Sequence, residues 1–256
     1  MHTRIDLLLC NESESAMRIL TSRIYDEIKR LEKMANYFDP ASELAEVNQL
    51  ASKEKVQVNE ELFHIISLCK DYTIKTQGYF DISIHSDNYT LSTINSVLLD
   101  PQDFTIFFDK KGIKLNLSGF LKGYALDKIK EVLVENGVFN ALINLGNSSV
   151  MVLGNHPYGE GWKIDLAIPS LEKEKDIVLF NECFTTSGNG TTSRKHIINP
   201  STGEYIEGKN SISVITENGT DGEVLSTVLF ILTSEERSEE VYQEYLKQFF
   251  NYRIIG

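Results

Sequence analysis

The feature that most constrains the fold is the alternation of helix-length and strand-length apolar patterns along the 256 residues. Three segments repeat apolar residues at helical spacing, roughly 13–36, 59–78 and 118–136, and an apolar segment at 221–234 predicts a fourth helix, so we expect about four to five helices in all. Short apolar runs predict strands at about 4–10, 139–145, 148–153, 162–168, 177–185, 194–198 and 211–216, and one or two strands within 103–117. Because hairpin-length and crossover-length connections are mixed, the order favours an α+β domain over a doubly wound sheet.

Several polar residues predict where these helices begin and end. Asn59 is a cap candidate for the second helix, and Gly78 lies where that helix would stop. Ser118 is the cap candidate for the third helix. The fourth helix is apolar on most sides, which predicts that it is buried.

Length and charge restrict the domain organisation and the partners. The chain fits a single domain over 1–256, and no apolar run approaches the roughly 18 residues that a membrane helix needs. With 37 acidic and 25 basic residues the net charge is -12, which opposes binding to nucleic acid. An anionic ligand would therefore have to be bound locally, by helix ends, a few cations or a metal ion.

The three cysteines, Cys10, Cys69 and Cys183, are scattered, so we predict reduced, buried thiols and neither a disulfide framework nor a zinc site. The N-terminal MHTRIDLLLC has the outline of a lipoprotein cleavage site, but Asp6 interrupts its apolar stretch. As the sequence stands it predicts a cytoplasmic protein, and an exported lipoprotein only if residues precede it.

The stretch LNLSGFLKGYALD, residues 115–127, runs from a predicted strand into a helix. Backbone amides at a helix start attract phosphate, and Lys122 one turn later adds a full positive charge. The alternative is a capped helix with a solvated lysine. Gly119 and Gly123 favour the binding interpretation, because each costs about 1 kcal/mol against alanine inside a helix.

Two other segments each allow a functional and a structural interpretation. In GYFDIS, residues 78–83, the aromatic side chains could stack on a planar ring, although core packing is the commoner role. In TDGEVLSTVLF, residues 220–230, Glu223 and Thr227 lie on one helix face and offer hard oxygen ligands for Mg²⁺ or Ca²⁺. The alternative there is a capping box between Thr220 and Glu223, which spacing alone favours.

The stretch HIINPSTG, residues 196–203, places a histidine at a strand end that runs straight into a tight turn. Such a histidine is more often a satisfied surface or core residue than a catalyst. The preceding TSGNGTTSRKH, residues 186–196, is rich in glycine and hydroxyl residues, as a loop around a polar ligand would be, but flexible surface loops have the same composition.

Together and in order, these segments resemble the ApbE family of flavin transferases, the FAD:protein FMN transferases. The resemblance covers nearly the whole chain. Its motifs are MHT, NYFDPASELAEVN, GYFD, LNLSGFLKGYALDKIKEVL, NALINLGNSSVMVLG, TSGNG, HIINPSTG and EVLSTVLF. It implies a T-fold-like α+β domain that holds FAD with Mg²⁺ and passes FMN to a threonine hydroxyl of an acceptor flavoprotein subunit, releasing AMP.

The resemblance also implies roles for individual residues. The residues that would line the FAD site are Met1, Phe38, Tyr79, Phe80, Asp81, Asn116, Lys122 and Ile198. The residues that would hold the metal ion are Gly119, through its carbonyl, Glu223, Ser226 and Thr227. His196 would accept or orient the proton of the attacking threonine.

Some positions depart from the family pattern. Asn116, Asn199 and Glu223 stand where the family usually has aspartate, Gly146-Asn147 replaces a glycine pair, and the stretch between Asp81 and Leu115 looks shorter. Fewer carboxylates would weaken a cation site. Three hypotheses therefore remain besides an unrelated α+β domain: an FMN transferase, an FAD pyrophosphatase that uses water, and an FAD-binding protein that has lost catalysis.

Overall fold

The computed structural model describes residues 3–164, 177–189, 196–208 and 211–255. Its α-helices are α1 Glu14–Ala35, α2 Glu43–Leu50, α3 Glu60–Lys75, α4 Leu121–Glu135, α5 Gly219–Ile231, α6 Ser234–Ser238 and α7 Glu240–Lys247. Its strands are β1 Ile5–Leu9, β2 Val56–Gln57, β3 Val97–Asp100, β4 Thr105–Phe108, β5 Ala141–Leu145, β6 Ser149–Leu153, β7 Trp162–Ile164, β8 Ile177–Leu179, β9 Cys183–Gly188, β10 Ser211–Thr216 and β11 Tyr252–Ile255. Among the described residues, no helix combines the length and the apolar composition that a membrane-spanning segment requires.

The main sheet has six strands in the order β1-β5-β6-β9-β10-β11, and every neighbouring pair is antiparallel. A second sheet has the order β2-β4-β3, and β7 pairs with β8. The predicted α+β class is therefore confirmed. The described residues contain seven α-helices, whereas the sequence predicted four to five.

Helices α4 and α5 pack between the main sheet and the rest of the molecule. Val224, Leu225 and Val228 of α5 are fully buried in the largest apolar cluster, as the apolar composition of that helix predicted. Leu126 and Ile129 of α4 belong to a second cluster with α1 and the sheet. Burial of α5 on most sides fixes its position relative to the strands, and hence the position of its polar residues.

Local side-chain chemistry predicted the start of α3 correctly and the start of α4 wrongly. The side chain of Asn59 caps α3 by accepting from the amide of Leu62 at 2.8 Å, and Gly78 adopts a positive φ of 85° after its end, both as predicted. Ser118 is not a cap. Helix α4 begins at Leu121 after Phe120, which makes no side-chain capping bond, and Ser118 lies in the preceding turn.

The strand predictions were accurate for 211–216 and close for β1, β5 and β6. The stretch 103–117, predicted to hold one or two strands, holds one, at 105–108. The segment 177–185 is divided between β8 and β9, and 194–198 contains only an isolated bridge at Ile198, with 194–195 outside the described residues. Of 162–168, only 162–164 is described, and it forms β7.

Cys69 and Cys183 are buried free thiols, as predicted, whereas Cys10 is half-buried. Burial raises the pKa of all three thiols. Since the thiolate is the reactive form, these cysteines are held in their inert state.

Candidate active site

The starts of α4 and α5 touch through two glycines. A Cβ on Gly123 would lie 2.8 Å from Cγ of Glu223 and closer still to the carbonyl oxygen of Gly219. A Cβ on Gly219 would meet the backbone of Gly123 in the same way. Glycine is required at both positions because two backbones approach closely, which places Lys122 and Glu223 beside each other.

Lys122 is bound by three side chains at this contact. Its Nζ donates to Oγ of Ser148 at 2.6 Å and to Oγ of Ser149 at 3.1 Å. It also forms an ion pair with Oε1 of Glu223 at 3.2 Å. About a quarter of the Lys122 side chain remains exposed, so its charge is both oriented by the protein and accessible to a ligand.

Glu223 is almost completely buried, with 4% of its surface exposed. Its carboxylate accepts from Oγ of Ser149 as well as pairing with Lys122. The predicted capping box between Thr220 and Glu223 is wrong, because α5 is capped by Asn218, whose side chain accepts from the amide of Asp221 at 2.7 Å. Glu223 is therefore directed away from the helix start and into the cluster.

Replacing Lys122 by methionine is expected to lower the free energy of unfolding by about 1–3 kcal/mol, because it leaves the Glu223 carboxylate buried without a cation. The double variant K122M/E223Q should recover part of this loss, since it removes both charges. Urea unfolding measures both effects. The matched control is K55M in the exposed pair of Lys55 and Asp100, which should change stability by less than about 0.5 kcal/mol.

Hydroxyl groups continue the cluster on the other side of Glu223. Oγ of Ser187, on β9, lies 2.9 Å from Oγ of Ser226 and 3.4 Å from Oγ1 of Thr227. Ser226 is buried and Thr227 is partly exposed. The structure therefore brings Lys122, Glu223, Ser226 and Thr227 together, as the predicted site required.

Asp127 fixes the start of α5 and was not singled out from the sequence. Its carboxylate accepts from the amides of Gly219 at 2.7 Å and Thr220 at 2.9 Å, and from the Thr220 hydroxyl. These amides have no partner within the helix, so a side chain of α4 caps α5. Burial raises the pKa of Asp127 from its usual 3.8, although these hydrogen bonds oppose the shift.

This raised pKa predicts a pH-dependent contribution to stability. In the folded state Asp127 holds its proton more tightly than in the unfolded chain, so its contribution is fully present below pH 3.8 and is lost as the pH rises through the folded-state pKa. The variant D127N cannot titrate. We expect the unfolding free energy of the wild type to fall relative to that of D127N as the pH rises from about 4 to 7. A wild type that becomes more stable relative to D127N over this range would contradict the assignment.

The GYFD residues lie in three different surroundings. Phe80 is buried, with its ring centroid 6.3 Å from those of Tyr72 and Phe120. Tyr79 is half-buried, with its ring 5.9 Å from that of Tyr242 on α7. Their predicted contact with a flavin stays a prediction, and Phe80 also serves the core.

Asp81 is buried and fully engaged within its own segment. It accepts from the amide of Ser83 at 2.7 Å, from the Ser83 hydroxyl at 2.6 Å and from the Tyr89 hydroxyl at 3.0 Å. Burial raises its pKa, and these hydrogen bonds oppose the shift. The backbone of Asn116 lies next to this segment, because its amide donates to the carbonyl of Ile82 at 2.8 Å. Two of the predicted FAD-binding segments are thus adjacent.

The remaining residues predicted for binding are more exposed. Phe38 has 77% of its surface exposed and packs edge-on against Tyr37 at 5.2 Å. Gly119 is exposed in the turn before α4, with open space where a Cβ would lie. Met1 lies outside the described residues. The roles of these residues in FAD and metal binding stay predictions.

His196 is exposed at the start of a hairpin formed by residues 197–206. The amide of Ile206 donates to the carbonyl oxygen of Ile197 at 2.9 Å, and the amide of Gly203 donates to the carbonyl oxygen of Asn199 at 2.8 Å. The Asn199 side chain accepts from the amide of Ser201 at 2.9 Å, which tightens the turn. The turn Asn-Pro-Ser-Thr-Gly therefore fixes the backbone after His196.

Comparison with known proteins agrees with this fold. Residues 1–250 match the ApbE family. The chain belongs to the ApbE family.

The relatives of this ApbE-family chain carry a consistent name. The FAD:protein FMN transferase of Klebsiella pneumoniae is 26% identical over 251 residues, covering 85% of this chain and 77% of that protein. The protein of that name from Chlamydia muridarum is 25% identical, covering 84% and 76%.

Solved ApbE structures share the fold. The ApbE protein of Thermotoga maritima superposes with a TM-score of 0.80 at 22% identity, covering 99% of this chain and 94% of that one. The flavin transferase ApbE of Vibrio cholerae gives 0.79 at 17% identity, covering 100% and 90%.

Two departures from the ApbE pattern have local explanations. Asn147 adopts a positive φ of 63°, which asparagine tolerates better than most residues other than glycine. Its amide also donates to the Asn144 side chain at 3.0 Å. Asn116 accepts from the amide of Ser118 at 2.9 Å, a bond that an aspartate would also make.

The oxygen atoms of the cluster suit a hard cation only in part. Within the described part of the chain, no three Asp, Glu, His or Cys residues are grouped as a metal site. The cluster offers one buried carboxylate, Glu223, and the hydroxyls of Ser226 and Thr227. Mg²⁺ is commonly held by one or two carboxylates together with substrate phosphates and water. These residues therefore fit Mg²⁺ that arrives with a phosphorylated substrate better than a metal bound by protein alone.

Proposed function

We propose that this protein is an FAD:protein FMN transferase that moves the FMN half of FAD to a threonine hydroxyl of an acceptor flavoprotein. The observation that carries the proposal is the cluster of Lys122, Glu223 and Thr227 at the meeting point of α4 and α5. The names of the relatives support it. An acidic chain can hold a diphosphate only where local groups supply positive charge, and in this proposal those groups are the Lys122 ammonium and an Mg²⁺ ion held at Glu223 and the neighbouring hydroxyl groups.

In this reaction the acceptor oxygen forms a bond to the FMN phosphorus, and the bond from that phosphorus to the AMP oxygen breaks. Lys122 would bind the diphosphate, since its side chain is partly exposed and its ammonium is oriented by Ser148 and Ser149. Glu223, Ser226 and Thr227 would hold Mg²⁺, with the Gly119 carbonyl. The ion would stabilise the charge on the phosphate oxygens.

His196 would take the proton of the attacking hydroxyl. Its exposure suits this role, because the hydroxyl arrives on another protein and must reach the imidazole from outside. A histidine titrates near neutral pH, which suits proton transfer in either direction. Tyr79, Phe80, Asp81, Asn116, Ile198, Phe38 and Met1 would contact FAD, as the family resemblance implies.

The direct test incubates the protein with FAD, Mg²⁺ and a threonine-bearing acceptor domain. We expect one covalent FMN per acceptor, detected by mass and in-gel fluorescence, with one AMP released. Changing the acceptor threonine to alanine should abolish the adduct. FMN and AMP formed without acceptor would instead identify an FAD pyrophosphatase, and FAD binding with no AMP would identify an inactive flavin-binding protein.

The role of Mg²⁺ is tested separately by calorimetry. Among the described residues, the cluster offers Mg²⁺ a single carboxylate, that of Glu223. We therefore expect weak binding of Mg²⁺ to the protein alone and tighter binding when FAD is present. Chelation with EDTA should weaken FAD binding and stop transfer. FAD affinity and AMP release that are both unchanged by EDTA would remove the metal from the proposal.

A further inference from the structure

Asn189 lies directly after β9, at the point where that strand leaves the hydroxyl cluster. The residue is almost completely buried, with 1% of its surface exposed. Alternate residues of an extended strand share a face, so Asn189 continues the face on which Ser187 contacts Ser226 and Thr227. Its position therefore follows from the strand that builds the cluster.

The amide group of Asn189 connects this strand to the hairpin that begins after His196. Its Nδ2 donates to the carbonyl oxygen of Ile206 at 2.8 Å. Ile206 is paired in turn with Ile197, the residue next to His196, through a backbone bond of 2.9 Å. Strand β9, the side-chain amide of Asn189 and the backbone hydrogen bond between Ile206 and Ile197 thus connect the cluster to the residue next to His196.

The other end of the same amide is unusual. Oδ1 of Asn189 is buried and has no hydrogen-bond partner within the described part of the chain. A buried acceptor without a partner costs about 1–3 kcal/mol, so an asparagine present for stability alone would have both ends satisfied. The arrangement is more consistent with a residue retained for the position of the hairpin.

We infer that Asn189 is a positioning residue for His196: it sets the distance between the imidazole and the Glu223–Thr227 cluster by holding the hairpin to β9. The inference rests on the proposed function for its activity readout. A displacement of about 1 Å in a reacting group can cost about 100-fold in rate, so loss of this hydrogen bond should act mainly on catalysis.

The test uses Asn189→Asp and Asn189→Ala in the full-length protein. The aspartate has the same shape but cannot donate to Ile206, so both variants should lower kcat of FMN transfer about 10- to 100-fold. The Kd for FAD should change less than about threefold. The amides of Ile197 and Ile206 should exchange with solvent at least about tenfold faster, because the hairpin has lost its attachment.

The matched control is Asn155→Ala, which removes a side-chain hydrogen bond of 2.9 Å from the Gly161 amide in another loop and should leave kcat unchanged.

The outcomes separate this inference from the proposed function. If the wild type transfers FMN and N189D keeps kcat within about threefold, the inference is overturned and the proposed function stands. If the wild type transfers no FMN, the proposed function fails, and the exchange of the hairpin amides still decides whether Asn189 holds the hairpin. Should N189A fail to fold, N189D provides the same readouts, and unchanged amide exchange in it overturns the inference.

Discussion

Replacing His196 by alanine is expected to slow FMN transfer about 10²- to 10⁴-fold, the usual contribution of a general base. The imidazole is exposed, so its removal opens no cavity in the core and the protein should remain folded. The binding of FAD should persist, because in the proposed site Lys122 and the cluster around Glu223, and not His196, would hold the phosphates. Single-turnover formation of the FMN adduct measures the rate, and calorimetry measures the affinity for FAD.

The matched control for His196 is His64→Ala. His64 is also an exposed histidine, but it lies on α3 and has no predicted role in catalysis. Transfer by H64A should equal that of wild type. If H196A transfers FMN at the wild-type rate, or if it loses FAD binding to the same extent as activity, His196 is not the base.

Replacing Gly123 by alanine should have the second-largest effect, on both stability and activity. The added Cβ would collide with the backbone of Gly219 and with Glu223, so α4 and α5 must separate. Overpacking lowers the free energy of unfolding by about 1–3 kcal/mol, and the higher helix propensity of alanine raises it by about 1 kcal/mol. Because backbone must move, we expect the upper end of that cost and a net loss of about 2 kcal/mol.

The activity of G123A should fall more than its stability indicates. Lys122 and Glu223 sit on the two helices that the new methyl group forces apart, and a shift of about 1 Å costs about 100-fold in rate. Gly159→Ala is the control, since a Cβ there meets nothing within 4 Å. A G123A variant with wild-type stability and transfer rate would show that the contact between the two helices is not a constraint.

Segments with strong local signals were predicted well. The period of 3.6 residues located α1, α3 and α4 to within a few residues, and the apolar run at 221–234 located α5. Asn59 and Gly78 determined the ends of α3 through cap and turn chemistry that acts locally. Strand β10 was predicted with its observed ends. The α+β class followed from the order of these elements.

The failures occurred where tertiary contacts replace local signals. Strand β3 was missed because short elements carry little periodicity of their own. The supposed caps Ser118 and Thr220 were wrong because Phe120 precedes α4 and Asn218 caps α5 instead. Spacing alone could not reveal that the Glu223 carboxylate contacts Lys122 and Ser149 and not the amides at the helix start.

The sequence by itself determined the α+β class, the buried fourth helix and the residue types available for phosphate and metal chemistry, since these depend on periodicity and composition. Only the tertiary structure decided that Lys122 and Glu223 form an ion pair, and that Asp127 and Ser187 complete their surroundings. The physical reason is the contact of Gly123 with Gly219: residues about a hundred positions apart meet only because two backbones can approach without side chains between them.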